Sequence, residues 1–301
     1  FQFDKISTGD LTFTIPKLND KDPSDNGIQV VLKEPEEIDK LKGLEKLILD
    51  FEHMLYSDRI WNEYENYIDV KSFVDGFLLN ELSHNDDSYK WSTYLYTKNG
   101  KIYVGPLWDY NMAFMQNPKS SIDGWQLNDT LNDERTEYLT DVSNKMYKGL
   151  ALWYYRLFQI ENFKQSVIDR FFSLRYSESI FNDEYLKNMM YEEYVQYLTS
   201  DYNICYDNQS YSYDTTSPVI RNFNKWDLLQ IENLNLSGWV VPFIQPTPKC
   251  YSGVPNWILC SNNENMNIEN ISAIGRVYNF CTKRLDWMEK KLPNYKPTKT
   301  K

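Results

Sequence analysis

Asp69-Val-Lys-Ser-Phe-Val-Asp-Gly-Phe-Leu-Leu-Asn-Glu-Leu-Ser-His-Asn-Asp-Asp-Ser-Tyr89, followed by the pair Asn99-Gly100 and by Gly105-Pro-Leu-Trp-Asp-Tyr-Asn-Met-Ala-Phe114, sets the architecture of this chain. Phe73, Val74, Phe77, Leu78 and Leu82 recur at helical spacing, with Asp69 as N-cap, so a helix is predicted over 70–82. Ser83 to Ser88 is a polar break rich in Asp and Asn. Strands follow at 92–96 and 101–108, and Asn99-Gly100 between them is the strongest short hairpin signal in the chain. The first strand leads away from the acidic loop and the second returns, at about 3.3 Å per residue. Asp86 and Asp87 can therefore meet the strand end Trp108-Asp109-Tyr110-Asn111. Converging carboxylates with an amide oxygen make a hard-oxygen site suited to Mg²⁺ or Mn²⁺.

Outward from this segment, Leu11 to Ile15 alternates and 28–33 is β-branched, with a polar turn over 19–27, which reads as two strands in a hairpin or sheet pair. Pro35 stops the second strand. Ile38, Leu41, Leu44, Leu47, Ile48, Phe51 and Leu55 then mark a helix over 36–55. Residues 109–135 read as loop and 145–200 as helical. Residues 201–225 are polar and Tyr-rich, and 237–263 form a Pro-containing loop. A last helix runs over 271–292. Strands over 11–33 and 92–108, with helices between and after them, are read as an α+β fold.

The composition narrows the function. Hydrophobic residues make up 42% and aromatic residues 16% of 301, which excludes disorder. The net charge of −11 argues against non-specific binding to nucleic acid or anionic membrane. An acidic chain that handles a polyanion needs local cations. No apolar run approaches the length of a transmembrane helix. The chain begins at Phe1 rather than Met and shows no leader, so a mature or clipped segment of a longer precursor is expected. Four cysteines, Cys205, Cys250, Cys260 and Cys281, lack C-x-x-C spacing, and only two His exist, which argues against structural zinc. Their even number fits disulfides in an oxidising compartment, with Cys250–Cys260 the simplest pairing; buried free thiols are the alternative. Sequons at Asn128, Asn208, Asn235 and Asn270 agree with secretion. Phosphate-loop, dinucleotide, H-E-x-x-H and G-x-S-x-G motifs are absent. The chemistry must rest on carboxylates, lysine and metal.

Several motifs together resemble the CotH (spore coat protein H) kinase family, most closely its cellulosome-associated, secreted branch. They are Ser72-Phe-Val-Asp to Asn80-Glu81, Asn85-x-Asp87-Ser-Tyr, Gly105-Pro-x-Trp-Asp109-x-Asn-x-Ala-Phe, Lys33 before Glu34-Pro35, Trp153, Arg156-Leu-Phe and Arg284-Leu-Asp-Trp-Met. The resemblance covers nearly the whole chain. It implies an atypical protein-kinase-like fold with a small amino-terminal lobe over 1–60 and a mostly helical carboxy-terminal lobe over 61–301. It also implies ATP as cofactor with Mg²⁺ or Mn²⁺, and Ser or Thr of secreted proteins as substrate. On that reading Asp109 is the metal-binding aspartate, with Asn111 and Ser92 as further metal ligands. Asp87, flanked by Asp86, is the catalytic-loop aspartate. Lys33 holds ATP phosphates, Glu52 is its ion-pair partner, and Tyr103 and Trp108 line the adenine pocket.

Two departures stand against this. Ser92 occupies the position where many family kinases place a metal-binding Asn, and no Gly-rich loop precedes Lys33. They favour a second reading: a non-catalytic coat, adhesin or cellulosome-associated module at a cell surface. A glycoside hydrolase, which needs two carboxylates roughly 5–9.5 Å apart in an aromatic groove, is a third. Glu81 is expected to anchor the loop rather than to do chemistry.

Overall fold

A computed structural model describes residues 1–3, 8–15, 28–34, 37–114, 121–132, 149–193, 234–236, 239–241 and 273–298. The chain forms two compact units. The first comprises Phe1–Ala113, Asp123–Phe171 and Lys290–Lys301, the second Phe114–Ile122 and Phe172–Glu289. The first unit mixes helices with an antiparallel sheet, as the α+β expectation requires.

Its sheet contains β1 (Gln2–Phe3), β2 (Leu11–Ile15), β3 (Ile28–Leu32), β4 (Thr93–Lys98) and β5 (Lys101–Val104), in the order β2-β3-β1-β4-β5. The expected pairing of β2 with β3 is antiparallel, Leu11 opposite Leu32 and Ile15 opposite Ile28. β1 lies between β3 and β4, so strands from before and after residue 60 share one sheet. The Asn99-Gly100 hairpin forms as expected. Both residues have positive φ, 52° and 73°, which a two-residue turn matched to strand twist requires.

Three helices link the two halves of the sheet: α1 (Ile38–Leu55), α2 (Ile60–Tyr67) and α3 (Val70–Ser83). α1 buries Leu44, Ile48, Phe51 and Leu55 along one stripe. Downstream come α4 (Gln126–Leu131), α5 (Gly149–Leu157) and α6 (Glu161–Phe172). The core closes on Trp153 of α5, whose ring meets Phe3 and Phe51 edge to face at 5.2 and 4.9 Å. Arg156 of α5 donates two hydrogen bonds to Leu55 O, capping the carboxy-terminal end of α1.

α3 is fastened to the edge strand β5. The Asp69 side chain caps the helix by accepting from Ser72 N at 2.8 Å. Asp69 N donates to Ile102 O, and Val104 N donates to Ser72 Oγ. These bonds cover an edge that would otherwise be open. Gly76 lets the helix lie close: a Cβ there would sit 2.8 Å from Val104 Cγ1.

In the second unit, Arg175 gathers α7 (Asp183–Lys187) and α8 (Ala273–Lys291) by binding Asp183, Asp286 and Glu289. Arg284 is fully buried, donates to Ile122 O and stacks on Trp287. A two-stranded ribbon pairs Leu234–Leu236 with Trp239–Val241; the rest of the expected loops over 201–225 and 237–263 lies outside the described residues.

Three sequence expectations are corrected. The loop over 109–135 contains a 3₁₀ turn, Tyr110–Met112, and α4. The helical reading of 145–200 holds where the stretch is described, over Gly149–Leu157, Glu161–Phe172, Ser173–Ser177, Asp183–Lys187 and Asn188–Glu193. Cys281 is a buried free thiol, as the alternative to disulfides has it, and burial pushes it up to about 12; Cys205, Cys250 and Cys260, with the expected Cys250–Cys260 pairing, lie outside the described residues. The Asn128 sequon lies inside α4, where Asn128 Oδ1 accepts from Tyr295 Oη and Thr298 N and Thr130 is buried.

Gly76→Ala should destabilise the protein by about 1–3 kcal/mol despite the better helix propensity of Ala, because Val104 is β-branched and has little room to move. Adding Val104→Ala should recover part of the loss. Urea midpoints of the single and double variants decide this, and an unchanged or higher midpoint for Gly76→Ala would show that the close approach is not tight.

Candidate functional site

α3 ends at His84, buried and left-handed at φ 46°. Asn85 then builds a tight turn. Its Oδ1 accepts from Asp87 N at 3.3 Å and its backbone O accepts from Ser88 N at 3.0 Å. Asp87 O in turn accepts from Lys90 N and Trp91 N. Asp87 therefore projects from a hydrogen-bonded turn rather than a loose loop. Asp86 behaves differently. Its carboxylate lies 3.4 Å from Lys90 Nζ, which is 1% exposed, so Asp86 compensates a buried ammonium.

The strand end comes back to this turn. Asp109 is exposed, adopts φ 61° and starts the turn Tyr110–Met112. Ser92 Oγ donates to Asp109 Oδ2 at 3.2 Å, and Asn85 Nδ2 donates to Asp109 O at 3.4 Å. Asn85 and Ser92 stand on either side of Asp87 in the chain, so the turn and the strand end are joined through these two residues, while Asp86 is turned to Lys90. Tyr110 locks the same segment to α3, its hydroxyl donating to Asn80 Oδ1 at 2.6 Å. His84, Tyr89, Ser92 and Asp109 all have positive φ. Each such residue costs of order 1–3 kcal/mol, and strain of this kind concentrates at functional sites.

The fit to a divalent cation can be judged from the oxygens present. Two ligands at right angles on Mg²⁺, each about 2.1 Å from it, lie about 3 Å apart. Ser92 Oγ and Asp109 Oδ2, at 3.2 Å, already have nearly that spacing. Asn111 is exposed two residues further on. Among the described residues, no three His, Cys, Asp or Glu side chains converge on a metal-sized space. The pair suits an ion that takes most of its ligands from phosphates and water.

The remaining predicted residues are more dispersed. Lys33 pairs with Asp10 at 3.2 Å, not with Glu52. The sheet explains the correction: continuing the Leu11–Leu32 register by one residue sets Asp10 opposite Lys33. Glu52 is buried on α1 and accepts from Trp153 Nε1. Trp108 is 62% exposed and meets Tyr94 edge to face, whereas Tyr103 stacks on Tyr96 across the hairpin. The two rings thus take different partners.

Glu81 ties the site together. It is fully buried and accepts from Tyr89 Oη at 2.9 Å, Gln126 N at 2.8 Å and Leu127 N at 2.9 Å. Its sequence signal is position: Phe73, Phe77 and Glu81 recur at four-residue intervals, which puts a carboxylate on an apolar helix face. Burial, and then the charge of Glu81, raise the Tyr89 hydroxyl well above its usual range, so it stays a donor.

Fold and site together define an α+β protein whose hairpin closes a strand-end aspartate onto an acidic turn. A family model described as CotH kinase protein matches residues 6–226, well over half the chain, and the chain belongs to the CotH kinase family. Membership brings a kinase-like function and, in general, ATP and a divalent cation. No curated protein and no solved structure matches the chain. No helix among the described residues is long and apolar enough to cross a membrane.

Desolvation pushes the Tyr110 hydroxyl up to about 12 in the folded protein, against about 10 in an unfolded chain. The unfolded state releases this proton first, so the contribution to stability is full below pH 10 and is lost as pH rises through 12. Tyr110→Phe should lower stability at pH 7 by about 1–2 kcal/mol through the lost bond to Asn80. It should also flatten the decline above pH 10. Urea midpoints from pH 7 to 11.5 test both, and superimposable pH profiles would contradict the second.

Proposed function

We propose that the chain is a secreted protein kinase that transfers the γ-phosphoryl group of ATP to Ser or Thr of secreted proteins. The observation that carries this is the contact of Asn85 and Ser92, on the two sides of Asp87, with Asp109. Phosphoryl transfer asks little covalent chemistry of the protein and much positioning and charge compensation. When bound, a divalent cation neutralises charge on the phosphates. Asp109 would hold it with Ser92 and Asn111. Asp87 orients the acceptor hydroxyl and receives its proton. Lys33, part exposed beside Asp10, offers its ammonium to the phosphates. Trp108 presents an open face for a base.

A non-catalytic coat, adhesin or cellulosome-associated module is the second reading. It is favoured by Ser92 at the second-metal position and by the engagement of Lys33 with Asp10.

Incubation of the chain with labelled ATP and Mg²⁺ or Mn²⁺ should label the protein itself or Ser-rich acceptors. Asp87→Asn and Asp109→Asn should each lower transfer by about 10²–10⁴-fold. Asp109→Asn should also abolish the thermal shift produced by ATP with metal. If the unaltered chain shows neither transfer nor a shift, the scaffold reading replaces the kinase one.

A further inference from the structure

We infer that Glu81 is a positioning residue for phosphoryl transfer, fixing the turn that carries Asp87 through helix α4. The inference rests on the kinase reading above for its functional consequence, and on geometry for its mechanism. Gln126 N and Leu127 N, the first two amides of α4, donate to the Glu81 carboxylate. From that helix, Gln126 Nε2 donates to Asp86 O at 3.4 Å and to Thr130 Oγ1 at 3.3 Å. Thr130 Oγ1 passes the chain on by donating to Ser88 O at 3.1 Å. The carbonyls immediately before and after Asp87 are thus both held by α4. On the far side of the turn, Tyr89 returns to Glu81 directly. Glu81, Gln126 and Thr130 are each no more than 2% exposed, so water cannot take over these bonds.

The carboxylate is suited to the task because it only accepts. Tyr89 Oη, Gln126 N and Leu127 N are donors. A glutamine at 81 would offer one acceptor oxygen and turn an NH₂ group toward a donor, leaving a buried polar group unmatched. The substitution alters neither Lys33 nor Asp109, so nucleotide binding should survive while the orientation of Asp87 degrades.

The experiment uses the full chain, Glu81→Gln and Thr130→Val. The second variant keeps the carboxylate and removes the bond to Ser88 O, so it carries the test if the first does not fold. Hydrogen exchange of peptides covering 84–92 should quicken about tenfold or more in both variants, with α1 unchanged. Transfer assays should show kcat lower by about 10–100-fold with KM for ATP within about twofold, the pattern of an interaction that matters in the transition state. Unchanged exchange over 84–92 overturns the inference, as does a fall confined to KM or an unaltered kcat. If the unaltered chain transfers no phosphate, the kinase reading fails, and loop exchange alone decides whether Glu81 positions the turn.

Discussion

A carboxylate buried without partners is unstable by several kcal/mol, and the first unit is arranged around avoiding that cost at Glu81. Tyr89 and the start of α4 must come to it, because they supply the donors. Once they do, α3, the acidic turn and α4 are a single hydrogen-bonded body. α4 is only six residues long and the Trp125 side chain, at its N-cap, does not cap it. Such a helix is marginal alone. It persists because a residue 45 positions earlier accepts from its first amides.

The hairpin supplies the second half of the construction. α3 is stapled to β5 at one end, by Asp69 and Ser72, and runs into the acidic turn at the other. β5 leads the chain back from the Asn99-Gly100 turn to Gly105 and Asp109. Helix and strand are therefore two arms that start together and deliver Asp87 and Asp109 to the same neighbourhood. The approach is close enough to require Gly76 against Val104. The left-handed residues at the meeting point are sustained by these surrounding bonds, since none of His84, Tyr89, Ser92 or Asp109 would adopt that conformation for its own sake.

What the sequence made legible follows the range of the forces involved. α1, α3, the β2–β3 pair and the hairpin announce themselves through periodicity, a capping Asp and a turn pair, all local signals. β1 is two residues long, and α2 buries only Ile60 and Tyr64, so neither leaves a pattern to read. α4 reads as loop in the sequence because its cap is remote from it. That the turn and the strand end come together is legible because one hairpin fixes it, but that Asn85 and Ser92 make the contacts is not. The Lys33–Glu52 pair was not, because strand register decides which carboxylate faces a lysine, and register placed Asp10 there.

That substitution of partners bears on how an acidic chain can receive a triphosphate. Lys33 and Asp10 form a part-buried pair at 3.2 Å, with the lysine the more exposed of the two. On the proposed kinase reading, a nucleotide carrying several negative charges would compete with Asp10 for this ammonium. Glu52 is in the opposite situation. It is buried and bonded to Trp153, which also packs on Phe3 and Phe51, so pulling it toward Lys33 would disturb the core. The lysine is thus held by the partner that is easier to leave. The Asp10 pair keeps the ammonium in register at the strand end, and the core carboxylate is reserved for packing.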